Sequence, residues 1–146
     1  MEYKFFNLNE TNLYKFVIIL THINGKILLC KRTDSEKIGF CSGKMEQKEK
    51  PIDAAKRLIR EQTGAVKFTT LPIFDCWISD EKTASNGMIF FSKITELGKL
   101  PQQGIEKIEC FDEKNLPIKR LVNADFTLDL LEKYRKFILA KKAVGE

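Results

Sequence analysis

A single histidine, His22, and four cysteines with no C-x-x-C pair leave the chain poorly supplied for a zinc site, which draws on such side chains in closely spaced sets. Cys30, Cys41, Cys76 and Cys110 are well separated and read as free, mostly buried thiols. The longest apolar run, 16–20, is far short of the roughly 20 residues that cross a bilayer. The N-terminus carries Glu2 and Lys4 ahead of a brief Phe5-Phe6 pair and lacks a signal-peptide apolar stretch, which points to a soluble, cytoplasmic protein with no membrane partner. No repeat, low-complexity tract or Pro/Gly/Ser-rich linker interrupts the sequence, so residues 1–146 are expected to form one domain, large enough to bury a core without staples.

What is present is an ordinary globular balance, 43% hydrophobic and 31% charged. The formal net charge of +5 favours anionic ligands by long-range steering without identifying them. Basic residues mass only at Lys133, Arg135, Lys136, Lys141 and Lys142, where a solvated helix face is preferred over a nucleic-acid patch.

Residues 14–20 are β-branched and aromatic, and Asn24-Gly25 separates them from a second apolar run, which predicts an antiparallel hairpin. Residues 33–50 are polar and glycine-containing and predict a long irregular connection, a length that is uncommon without a function. Pro51 suits a first helical position, Asp53 a first turn and Gly64 a left-handed stop, so a helix is expected over 51–63. Its apolar arc is Ile52, Ala54, Ala55, Leu58 and Ile59, with Arg57, Arg60 and Glu61 opposite. Strands are expected at 66–70, 73–78, 88–94 and 105–111. From Asn123 onward Phe126, Leu130, Leu131, Tyr134, Phe137 and Ile138 recur at helical intervals, so the chain closes on an amphipathic helix. Strands interleaved with two helices make the class α/β or α+β with a mixed sheet.

The segment 42–65, "SGKMEQKEKPIDAAKRLIREQTGA", carries the chemistry. A glycine in the loop allows backbone to approach a phosphate closely, and acids one helical turn apart project toward one place where a hard cation could sit. Glu46, Glu49 and Glu61 are the acids on offer. Each also has a bland alternative: Glu46 and Glu49 as loop surface among lysines, Glu61 as a partner of Arg57 one turn earlier. Arg57 itself is either a helix-surface residue or a bidentate clamp on a loop carboxylate.

The segment resembles the Nudix box: Gly, five residues, Glu, seven residues, then Arg-Glu-apolar-x-Glu-Glu-x-Gly-apolar. Gly43, Glu49, Arg57, Ile59, Glu61, Gly64 and Ala65 stand at the matching places, and Glu46 matches a Glu often found between the Gly and the first box Glu. The flanks "ILLCKR", "MIFFSKI" and "IECFDEKNLP" extend the likeness over most of the chain. The resemblance implies a MutT-like Nudix fold, an α/β/α sandwich around a mixed sheet. It implies a hydrolase that cleaves a diphosphate linkage in a nucleoside diphosphate attached to another moiety, with Mg²⁺ or Mn²⁺ as cofactor and a homodimer allowed. By position, metal binding would fall to Glu61, Glu49, Gln62 and Gly43, and catalysis to Glu61 with Glu106 or Glu109 from a late loop. Arg32 would meet a phosphate, and Phe74, Trp77 or Phe91 would stack on a base, although aromatics at alternating strand positions, Phe90 among them, are more often core. Gly43, Glu46, Glu49, Arg57 and Gly64 would form the box architecture.

The chain departs from the pattern where the family needs charge. It reads Arg57-Leu58-Ile59-Arg60-Glu61-Gln62, so the first and last acids are missing, and Leu58 and Gln62 are four apart on one side of the helix. The frequent Pro-Gly-Gly ahead of the box is Cys41-Ser42-Gly43. Two functions therefore compete: a hydrolase with reduced activity, and a domain that binds a nucleotide-like or other anionic ligand without cleaving it.

Overall fold

The computed structural model describes residues 1–101 and 104–143. An edge strand, β1 (Glu2–Asn7), opens the chain, and nothing in the sequence pattern announced it. The expected hairpin follows: β2 (Tyr14–Ile23) and β3 (Lys26–Arg32) pair antiparallel from Thr21↔Leu28 to Ile23↔Lys26. Asn24 and Gly25 take left-handed φ values of 51° and 76° at its turn, a conformation these two residue types tolerate.

The stretch expected to be irregular holds two short strands, β4 (Ile38–Gly39) and β5 (Cys41–Lys44). They form because β2 and β3 diverge beyond the hairpin turn. β5 takes up the edge of β2 over Phe16–Ile19, and β4 pairs with β3 at Cys30 and Lys31. Helix α1 (Pro51–Thr63) has the predicted bounds. Pro51 lies in its first turn, and Gly64 at φ 76° ends it by donating its N–H to the Arg60 carbonyl at 3.0 Å. A Cβ on Gly64 would stand 2.6 Å from the Lys99 carbonyl oxygen, so this stop admits no side chain.

The two strands expected at 66–70 and 73–78 are one, β6 (Ala65–Ser79). Pro72 has no N–H for the ladder, and the pairing absorbs this with a register shift between Pro72 and Phe74. β7 (Ala84–Leu97) returns antiparallel to β6, and β8 (Ile105–Phe111) pairs with the outer edge of β3. After two 3-10 turns, Glu113–Asn115 and Ile118–Arg120, comes α2 (Ala124–Ala143).

The eight strands make one mixed sheet in the order β1-β6-β7-β2-β3-β4, with β5 on β2, β8 on β3, and β2 parallel to β7 at the centre. Strand alternation then sorts the core. Val17, Ile19, Leu28, Met88 and Phe90 face α1 with Ala54, Ala55, Leu58 and Ile59. Ile18, Leu20, Ile27, Leu29 and Ile89 face α2 with Phe126, Leu130 and Leu131. The result is an α/β/α sandwich. Cys30, Cys41 and Cys76 are buried free thiols and Cys110 is exposed. Among the described residues, no helix is long and apolar enough to cross a membrane.

Candidate functional site

The loop before α1 is tied to the helix by one guanidinium. Arg57 donates Nε to Glu49 Oε2 at 2.8 Å and Nη2 to Glu49 Oε1 at 2.9 Å, and a further Nη2 bond reaches the Lys44 carbonyl at 3.1 Å. Glu46 and Glu61 also lie within ion-pair distance of it, at 3.4 and 3.3 Å. Glu49 further accepts the Glu46 N–H at 2.8 Å, and the Arg57 bonds followed by this backbone bond hold its carboxyl below the ordinary carboxylate range. The three box acids therefore converge on a cation the chain already supplies, with Glu61 the most solvent-facing of the helical residues involved.

The two departures from the box are built into this architecture. Leu58, only 5% exposed, joins the core cluster under α1. Its methyls press on Gly43, where any added Cβ would stand 2.9 Å from Leu58 Cδ2. Gln62, 7% exposed, engages both polar atoms of its amide with the backbone of one residue: Oε1 accepts the Ser42 N–H at 3.2 Å and Nε2 donates to the Ser42 carbonyl at 2.9 Å.

A divalent cation needs several oxygen donors, carboxylates foremost, converging on an open point. Here one position is an aliphatic side chain, the other a neutral amide with both polar atoms engaged, and Glu61 is paired with Arg57. Among the described residues, no group of three His, Cys, Asp or Glu side chains is placed to hold a metal ion. The residues present do not fit Mg²⁺ or Mn²⁺.

The remaining expected site residues are dispersed. Glu106 on β8 pairs with Lys31 at 3.2 Å. Glu109, on the same strand, is gripped by Arg120 at 2.5 and 3.4 Å, which lowers its pKa. Phe74 and Phe91 pack under α2, edge-on to Phe137 at 5.3 Å and stacked on Tyr134 at 5.1 Å. Trp77 lies half-buried on β6 beneath the Lys4 ammonium, 5.8 Å from the ring centroid. Arg32, at the end of β3, is exposed and donates Nη2 to the Ser42 carbonyl at 3.0 Å.

A cavity of about 780 Å³ opens where β5, β2 and the start of α2 meet. Phe16, Phe40 and Phe126 belong to its apolar lining, and Lys15, Lys44, Asp80 and Asn123 to its polar lining, continuous with Ser42 and Gly43 of the box loop. Gly87 makes this lining possible, because a Cβ there would run into the Phe16 ring. Sequence reasoning missed this set. Its members come from segments far apart in the chain, and the available signal was local: Asn123, at φ 48°, sits at the turn that launches α2. None of Phe74, Trp77 and Phe91 lines this cavity.

Comparison with known proteins bears on this geometry. A family model described as the NUDIX domain matches residues 12–130. Among solved structures, the chain is similar to a mutant form of the Bacillus subtilis pyrophosphohydrolase BsRppH, with a TM-score of 0.78 and 22% identity over 92% of this chain and 89% of that one. It is also similar to the NUDIX domain of Shewanella oneidensis NrtR complexed with ADP ribose, with a TM-score of 0.67 and 14% identity over 88% and 90% of the two chains. A third likeness is to a C. elegans Ap4A hydrolase in a binary complex, with a TM-score of 0.65 and 15% identity over 86% and 99%. Identities this low speak to the fold alone. No curated protein sequence matches significantly.

Proposed function

The chain belongs to the NUDIX domain family, and from that premise we propose that it binds a phosphorylated, nucleotide-type small molecule without metal-dependent cleavage. One observation carries this reading: the cavity joins aromatic side chains to an edge that bears Lys15 from β2 and Lys44 from β5. A planar base can stack against the half-buried Phe16 ring, with Phe40 and Phe126 packed behind it, while Lys15 and Lys44 offer charge to a diphosphate. The ADP ribose bound to the NrtR domain supports this ligand class, since that molecule combines a base, a sugar and a diphosphate. The mismatch between the box residues and a divalent cation supports binding without turnover.

Thermal shift and calorimetry with ADP-ribose and ADP test the reading, each run in EDTA and again in Mg²⁺. Saturable binding in EDTA, with no product by chromatography after prolonged incubation, is expected. Absence of binding in both media would overturn it.

A second reading, hydrolysis of a diphosphate linkage in a nucleoside diphosphate joined to another moiety, is favoured by Glu61, which retains its box position and is 56% exposed. It requires release of nucleoside monophosphate or phosphate from a nucleotide panel with Mg²⁺ or Mn²⁺, and loss of that activity in Glu61→Gln. No turnover above blank across the panel removes it.

A further inference from the structure

The hairpin of β6 and β7 closes in a turn built on one carboxylate oxygen. Asp80 Oδ1 accepts the Lys82 N–H at 2.9 Å, the Thr83 N–H at 2.9 Å and the Thr83 hydroxyl at 3.3 Å, and the Asp80 N–H donates to the Thr83 carbonyl at 2.9 Å. These bonds, the two backbone ones first, hold the Asp80 carboxyl below the ordinary carboxylate range, so it is ionised at neutral pH. They also fix its orientation. With Oδ1 turned to the hairpin, no donor among the described residues engages Oδ2, and Asp80 is the one carboxylate among the described residues that line the cavity.

The cavity is therefore polarised across the sheet. Lys44 of β5 stands opposite Phe16 of β2, Phe16 is in register with Gly87 of β7, and Gly87 with Cys76 of β6. Three strand spacings, about 14 Å, separate the strand that carries Lys44 from the strand that leads into Asp80. The Phe16 ring covers Gly87, where a Cβ would come within 2.2 Å of it, so the ring leans over β7 toward β6. A base stacked on this ring, with its diphosphate at the lysines, turns its far edge toward Asp80. We propose that the free oxygen of Asp80 accepts a hydrogen bond from an exocyclic amino group on that edge and makes the cavity selective for adenine nucleotides, which rests on the reading of the cavity as a nucleotide-type site. The number of free acceptors sets the class. A guanine edge offers two adjacent N–H donors that call for both carboxylate oxygens, and it sets a carbonyl oxygen beside them. Adenine offers a single amino group, which one oxygen satisfies.

Calorimetry on the full chain in EDTA tests it with two ligands, ADP and purine riboside 5′-diphosphate, which is ADP without the amino group. The natural chain should bind ADP about tenfold more tightly, the effect of one hydrogen bond to a charged acceptor. In Asp80→Asn the amide oxygen keeps the turn, so the amide nitrogen faces the cavity and sets a donor against the ligand's own donor. The two ligands should then agree within about twofold through loss of ADP affinity alone, with purine riboside diphosphate changed by less than about twofold. Equal affinities in the natural chain overturn the amino contact and leave the ligand reading standing. Discrimination that persists in Asp80→Asn, or equal weakening of both ligands by it, overturns the role of Asp80. Failure of both ligands to bind the natural chain, in EDTA and in Mg²⁺ alike, overturns the assignment together with the ligand reading. Should Asp80→Asn not fold, Asp80→Ser carries the same comparison, because a serine hydroxyl also serves such turns.

Discussion

Arg57 holds Glu49 through two parallel N–H bonds of 2.8 and 2.9 Å, so the box loop is fastened to the second turn of α1 by a fork rather than by a point charge. The pair is largely sheltered, with side-chain exposures of 23% and 13%. Arg57→Ala should cost about 2 to 3 kcal/mol in urea unfolding, the range for hydrogen bonds to charged groups, and Arg57→Lys should recover less than half of that. Glu49 has a depressed carboxyl pKa in the folded chain, because of Arg57 first and the Glu46 N–H next. Its contribution is present above the ordinary carboxylate pKa and is lost as pH falls through the lower, folded value. The stability gap between the natural chain and Glu49→Gln should therefore narrow on acidification below the ordinary carboxylate range.

Leu58 and Gly43 are expected to be energetically coupled. Leu58→Ala should cost about 2 to 4 kcal/mol through lost burial and the cavity left behind. Gly43→Ala should cost about 1 to 2 kcal/mol by overpacking against the Leu58 methyls. Combined, the two should destabilise by less than their sum, since truncating Leu58 opens the space the new methyl needs. Additive values from a double-mutant cycle would show that the contact does not set the cost.

The elements that local chemistry specifies were legible in advance. Pro51, Asp53 and Gly64 bounded α1, and Asn24-Gly25 placed the first hairpin. Strand β1 was not legible, because an edge strand buries little and shows weak alternation: Tyr3, Phe5 and Phe6 are only half-buried. Pro72 split one strand into two on paper, since a proline's missing N–H reads as a break and only a pairing partner reveals that a register shift absorbs it. In the candidate site, the Arg57–Glu49 link was one of two open readings of Arg57, and the resemblance to the box placed both residues in its architecture. The clamp of Gln62 on Ser42 was not legible, because it depends on β5 forming inside a segment whose composition reads as loop. The cavity was illegible for a related reason: Phe16, Phe40 and Phe126 meet only after the sheet and α2 have assembled.

Tyr14 gives the chain an alkaline limit. Burial and then its 2.7 Å hydrogen bond to the Asp75 carboxylate push its phenol up from 10.0 to about 12. A folded pKa raised in this way contributes stability that is complete below the unfolded value and is lost as pH rises through the folded one. Unfolding midpoints should therefore fall between pH 10 and about 12. Tyr14→Phe should flatten that slope by one titrating group at the cost of a hydrogen bond; Cys76, raised to about 12 by burial, accounts for part of what persists.

Lys15 and Lys44 supply exposed charge to the cavity edge. Replacing both with glutamine should weaken ADP about three- to tenfold at low salt and reduce the salt dependence of binding, since long-range attraction is screened as ionic strength rises. The aromatic wall should keep its affinity for an uncharged nucleoside unchanged in the same variant. A nucleoside that loses affinity as steeply as ADP would show that the lysines shape the cavity rather than its charge.

Strand β2 is shared property. Its odd-numbered residues Val17 and Ile19 belong to the layer under α1, and its even-numbered Ile18 and Leu20 to the layer under α2. The same strand is bonded to β7 on one edge and to β5 and β3 on the other. Neither helical layer can melt while the other survives without tearing this strand from its partners, so the two are bound into a single cooperative unit. Damage on the α2 side, far from the box in sequence, is thereby felt at β5 and at the Ser42 clamp.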